Sequence, residues 1–156
     1  MTPTSTQSPE RAALLAFGRE MIGLSQSLGF DPVVYGSLAY LAHTGDQGAV
    51  IADIDLLVGK AAFPRLIAGI ADDPTLRCEP TTYNSLKVFH GDLKLSFDSL
   101  EDYLAGVPFE RQPVEIDGYA FVVVDRHALI EVYRRGASTI DAKRLAYLGK
   151  IAGLGG

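Results

Sequence analysis

Apolar positions along the chain fall into two rhythms. Near the N-terminus Leu14, Phe17, Met21, Leu24 and Leu28 recur every three or four residues, the spacing that places side chains on one face of a helix. Ser8-Pro9 in front reads as a cap with proline at the first helical position, and Gly29 behind reads as the stop. The pattern predicts an amphipathic packing helix over 9–28. A short apolar run, 33–35, breaks at Gly36-Ser37, and a helix is expected from Ser37 to Thr44-Gly45. After a Gly-rich polar loop, 44–48, the apolar run 51–58 predicts a second strand. A helix over 63–71 should end at Asp72-Asp73-Pro74.

The second rhythm is alternation. Strands are expected over 76–82 and 85–89, with His90-Gly91-Asp92 as a turn. From 93 to 99 Leu93, Leu95 and Phe97 face one way and Lys94, Ser96 and Asp98 the other. A short helix follows over 101–105. Val114 to Ile116, Asp117-Gly118 and Tyr119 to Val124 make a hairpin signal. Asp125 should cap a helix to Arg135, and Ser138 to Asp141 should open a last helix to about Leu148. Helices first alternate with strands, then give way to several strands and terminal helices. This order predicts an α+β fold, a mixed and mostly antiparallel sheet flanked by helices. Residues 1–7 are expected to be a disordered tail and 8–152 a single domain, with no internal repeat.

Composition narrows the setting. A chain of 156 residues, 47% hydrophobic and 21% charged, has the balance of one globular domain. Its net charge of −5 argues against a broad basic face for nucleic acid. Cys78 is the lone cysteine, so no intrachain disulfide can form and a reducing compartment is expected. No apolar run approaches the roughly 20 residues that span a bilayer. A cytoplasmic protein without membrane contact is the expectation.

The candidate chemistry lies in 51–58. Side chains two apart on a strand share a face, so Asp53 and Asp55 point together. Two carboxylates on an otherwise apolar strand repel in a low dielectric, and a divalent cation removes that cost. Asp98, on the polar face of a later strand, is the third candidate, with Asp92 and Asp102 as competitors. Oxygen donors of this kind suit Mg²⁺ or Mn²⁺ with substrate phosphates as further ligands. Gly36 permits close backbone approach, and Ser37 opens a helix whose N-terminus suits phosphate oxygens. A side chain at position 36 is therefore expected to invade phosphate space at little cost to folding. Asp46, on the polar loop, is expected to be a bystander. An EF-hand fits poorly, because Leu57 falls where an oxygen donor belongs, and Gly149-Lys150 lacks P-loop spacing.

Gly36-Ser37, a short helix, Asp53-Ile54-Asp55-Leu56 and a distal Asp98 resemble the signature of the nucleotidyltransferase superfamily with the DNA-polymerase-β-like fold, across about 32–100. The similarity is greatest to small bacterial members, including those of toxin–antitoxin and abortive-infection systems and the lincosamide-modifying branch. The resemblance implies transfer of a nucleoside monophosphate from a nucleoside triphosphate to an acceptor hydroxyl. Asp53, Asp55 and Asp98 would be the catalytic and metal-binding acids, and Gly36 and Ser37 would bind the nucleotide. The acceptor is left open among a protein, a tRNA and a small molecule, and a partner protein is a further expectation. The alternative is a catalytically weak, antitoxin-like nucleotide- or partner-binding module of the same fold.

His43, His90 and His127 lack ligand spacing and read as surface or helix-end residues. Arg134 and Arg135 read as solvated charges at a helix C-terminus. For Lys143 and Arg144, a solvated face and contact with triphosphate or RNA weigh equally.

Overall fold

In the computed structural model, residues 9–81, 85–135 and 142–153 are described. Helix α1, Pro9–Ser27, leads to the three-residue strand β1, Val33–Tyr35. Helix α2, Gly36–Thr44, starts on the next residue, with Gly45 in the left-handed conformation at its end. Strand β2 is Ile54–Val58, and a 3-10 turn leads into α3, Phe63–Ala71. Strands β3 (Arg77–Pro80), β4 (Ser85–His90) and β5 (Leu93–Ser99) follow, then the short helix α4, Leu100–Tyr103. The hairpin β6 (Arg111–Ile116) and β7 (Tyr119–Val124) precedes α5, Arg126–Arg135, and α6, Ala142–Gly153.

The strands form a seven-stranded mixed sheet in the order β3-β4-β5-β2-β1-β7-β6. The β2–β5 and β1–β7 pairs are parallel and the others antiparallel, as the α+β reading expects. Strand β2 starts at Ile54, later than the expected 51, for a reason visible in the pairing. Its partner β1 is only three residues long and turns into α2 after Tyr35, which sits opposite Asp55. Residues 51–53 therefore have no strand beside them on that edge. Asp53 lies just ahead of β2. The last helix runs to Gly153, past the expected Leu148, while Ser8, Gly136 and the cap at 138–141 lie outside the described residues.

Ile54, Leu56, Leu95 and Phe97 are fully buried on one sheet face. Helix α1 rests on that face so closely that a Cβ at Gly18 would collide with Ile54 Cδ1, which is why a glycine is tolerated in mid-helix despite its entropic cost. The hairpin turns through Asp117 and Gly118, both at positive φ, the geometry that matches strand twist. The Asp117 carboxylate is tied back to α1 by Arg11, Nε–O 2.7 Å. Asp125 caps α5 as expected, accepting from the Ala128 N–H at 2.8 Å. Among the described residues no helix is long and apolar enough to cross a membrane.

Candidate active site

Residues in register on neighbouring strands share a sheet face. The register Tyr35↔Asp55, Asp55↔Ser96, Leu57↔Asp98 and Ser85↔Asp98 therefore places Tyr35, Asp55, Ser85, Ser96 and Asp98 together. Their face is opposite the one that α1 covers. Of the three candidates for the third acid, Asp98 is the one on this face. Asp92 lies in the turn between β4 and β5, and Asp102 is half-exposed on α4, 3.6 Å from Lys60.

Asp98 is 4% exposed, a buried carboxylate. Such a group is costly unless its oxygens are hydrogen-bonded. Here hydroxyls satisfy it. Tyr35 donates to Oδ2. Ser85 and Ser96 donate to Oδ1 at 2.5 and 3.0 Å. The Tyr35 phenol is pushed well above its ordinary range, first by burial, then by the charges of Asp55 and Asp98 and by its bond to Asp98. Tyr103, whose ring centroid lies 5.7 Å from that of Tyr35, is also raised, by burial first and then by the charge of Asp98. Both phenols thus stay protonated and able to donate at neutral pH. The hydroxyls escape sequence inspection because Tyr35 and Ser85 read there only as strand residues.

Gly36 begins α2 at φ +72, in the region that only glycine enters freely. A Cβ at this position would collide with Asp55 Oδ2 and lie 3.2 Å from its Cβ and Cγ. This corrects the expectation that a side chain here costs little: the space beside Gly36 is filled by the Asp55 carboxylate. Ser37 follows, half-buried in the first turn of α2, and no side chain caps that helix from Tyr35. The sequence thus brings an acid and a helix N-terminus into contact.

Asp53 is partly exposed and faces Lys94 on β5, Nζ–O 3.7 Å. The expected convergence of Asp53, Asp55 and Asp98 on one cation is not formed. Among the described residues no group of three His, Cys, Asp or Glu side chains is placed to hold a metal ion. Burial and hydroxyl bonding engage Asp98, while Lys94 offsets the charge of Asp53. The donor chemistry of Asp53 and Asp55 still fits a hard cation, because both are partly open carboxylates beside a helix start that suits phosphate oxygens.

Asp46 is no bystander. Its carboxylate accepts from the Tyr40 hydroxyl at 2.5 Å, the Gly48 N–H at 3.1 Å and Lys150 Nζ at 3.1 Å. Tyr40 is fully buried and stacks on Tyr147 of α6, with centroids 3.8 Å apart and planes at 11°. The loop that leads to β2 is thus fastened to α2 and α6. Of the other polar candidates, His43 Nε2 meets the Val124 carbonyl at 2.7 Å. Arg135 donates to the Ala105 carbonyl and Arg134 pairs with Glu131. The side chains of Lys143 and Arg144 lie outside what the structure describes.

No protein-family model matches the sequence, and no curated protein matches it. Solved structures do. ANT(2″)-Ia in complex with adenylyl-2″-tobramycin superposes with a TM-score of 0.68 over 92% of this chain and 90% of its own, at 15% identity. The lincomycin-bound lincosamide antibiotic adenylyltransferase LnuA gives 0.61 over 88% and 94%, at 10% identity. The Megavirus polyadenylate synthase gives 0.57 over 91% of this chain but 31% of its own, at 15% identity. The α+β sheet, with the Gly36 turn and the strands that carry Asp55 and Asp98 side by side, has the nucleotidyltransferase fold.

Proposed function

We propose that this protein is a nucleotidyltransferase that moves a nucleoside monophosphate from a nucleoside triphosphate to an acceptor hydroxyl. The observation that carries this reading is the meeting of the Gly36-Ser37 helix start, Asp55 of β2 and Asp98 of β5 on one sheet face. The N–H groups of the first turn of α2 and the Ser37 hydroxyl hold phosphate oxygens. Asp53 and Asp55 would hold Mg²⁺ or Mn²⁺, which when bound would neutralise the triphosphate. Asp98 orients the acceptor hydroxyl and takes its proton as that oxygen bonds to the α-phosphorus and pyrophosphate leaves.

Among protein, tRNA and small-molecule acceptors we favour a small hydroxyl compound. Support comes from the antibiotic adenylyltransferases, which are nearly coextensive with this chain, whereas the polyadenylate synthase is about three times its length. A second reading, a weakly active nucleotide- or partner-binding module as in toxin–antitoxin pairs, draws on the occupied lone pairs of Asp98.

Radiolabelled ATP or GTP with Mg²⁺, offered together with aminoglycosides, lincosamides, tRNA and cell lysate, discriminates the readings. Label is expected on a small molecule. Label on RNA or protein would reassign the acceptor, and no transfer to any of them would sink the enzyme reading in favour of the binding module.

A further inference from the structure

Asp98 presents a second feature, which rests on its reading as the acid that faces the acceptor. Its carboxylate already receives hydroxyl donors from the protein itself, and among the described residues the buried Tyr35 is the one that reaches Oδ2. The same Tyr35 hydroxyl lies within the field of Asp55 on the adjacent strand. It therefore stands between the acid that faces the acceptor and the acid beside the phosphate-binding turn. An acceptor hydroxyl bound at Asp98 Oδ2 would meet the oxygen to which Tyr35 donates now.

We propose that Tyr35 is a positioning residue that holds the place of the acceptor hydroxyl on Asp98, so that water cannot use this carboxylate while no acceptor is bound. Neutral hydroxyl donors suit this role. A lysine would lock the acid in an ion pair, and an apolar wall would leave a buried charge unsatisfied. A phenol donor, by contrast, exchanges for an acceptor O–H of the same kind at little net cost, because one hydrogen bond replaces another. Ser85 is half-exposed at the start of β4, whereas Tyr35 and Ser96 are buried, so the acceptor approaches from the Ser85 side. Tyr103 on α4, beside Tyr35 and Ser85, borders that approach.

The consequence is a brake on futile hydrolysis. In that side reaction a water oxygen bonds to the α-phosphorus, its proton passes to Asp98, and nucleoside monophosphate and pyrophosphate leave. Pyrophosphate release from ATP or GTP with Mg²⁺ and no acceptor reads it directly. The rate is expected to be near background in the wild-type protein and several-fold higher in Tyr35→Phe, which keeps the ring and removes the donor. Ser85→Ala, a half-exposed position, is expected to rise in the same direction and serves if Tyr35→Phe fails to fold. A role for Tyr35 in folding alone predicts a lower rate, because its loss would leave the site less well ordered. Equal or lower release in both variants, with wild-type release abolished by Asp55→Asn, would overturn the role of Tyr35 and leave the transfer reading intact. Absence of release from all the folded proteins, with no transfer to any acceptor, would overturn both.

Discussion

Two aspartates in this protein each accept a hydrogen bond from a buried tyrosine, and they are held in opposite ways. Asp46 sits on an open loop, where Tyr40 and Lys150 both reach it. Its carboxyl is held below the usual carboxylate range by the Tyr40 hydroxyl first, then by Lys150, with the Gly48 N–H adding to both. Asp98 is buried, and the hydroxyls of Tyr35, Ser85 and Ser96 donate to its carboxylate. An acid paired with a cation is committed to that partner and serves as a clamp. An acid satisfied by neutral hydroxyls can trade one donor for another. The same Tyr–Asp pairing thus fastens the loop at one place and satisfies a buried carboxylate at the other.

The surroundings of the two acids should differ in tolerance, and the largest effect belongs to the buried region. In Gly36→Ala the new methyl group meets Asp55 while the backbone stays in the left-handed region. The combined strain and overpacking should cost about 2–5 kcal/mol, read as a drop in urea midpoint. A midpoint unchanged from wild type would show that Asp55 moves aside freely, and the close contact with α2 would lose its meaning.

A smaller effect sharpens the comparison itself. Tyr35→Phe strips a donor from a buried carboxylate and should cost about 1–3 kcal/mol. Tyr40→Phe acts on a partly exposed acid and should cost less. Its cost should also depend on pH. Because the folded state depresses the Asp46 carboxyl, the associated stability is present above its unfolded pKa of about 4. It is lost as pH falls through the lower, folded value. Urea midpoints of wild type and Tyr40→Phe should therefore differ at neutral pH and converge in acid. A gap that persists unchanged into acid would mean that the Asp46 charge takes no part.

Much of the fold was legible because it depends on local signals. The helix stops at Gly29 and Gly45, the alternation of β5 and the Asp117-Gly118 turn are short-range patterns, and each appears where expected. The start of β2 was not legible, because the length of β1 sets it. The acidic face was visible, but its state was not. The donors to Asp98 come from positions 13 and 63 residues away as well as from its own strand, and nothing local to Tyr35 signals that it will face an acid. Asp46 read as a bystander for the same reason, since Lys150 lies 104 residues further on. The glycine at position 36 suggests space for phosphate, because the glycine alone does not reveal that Asp55 fills it.

The central claim is that Asp55 and the Gly36 turn form a site for a triphosphate with its cation. Thermal melts of wild type and Asp55→Asn, each in chelator and again with Mg²⁺ plus ATP or GTP, test it without knowledge of the acceptor. With nucleotide at a hundredfold excess over its dissociation constant, wild type is expected to gain about 2.7 kcal/mol, and Asp55→Asn little or nothing. Equal gains in the two proteins would place the nucleotide elsewhere, and no gain in wild type with either nucleotide would contradict the site altogether.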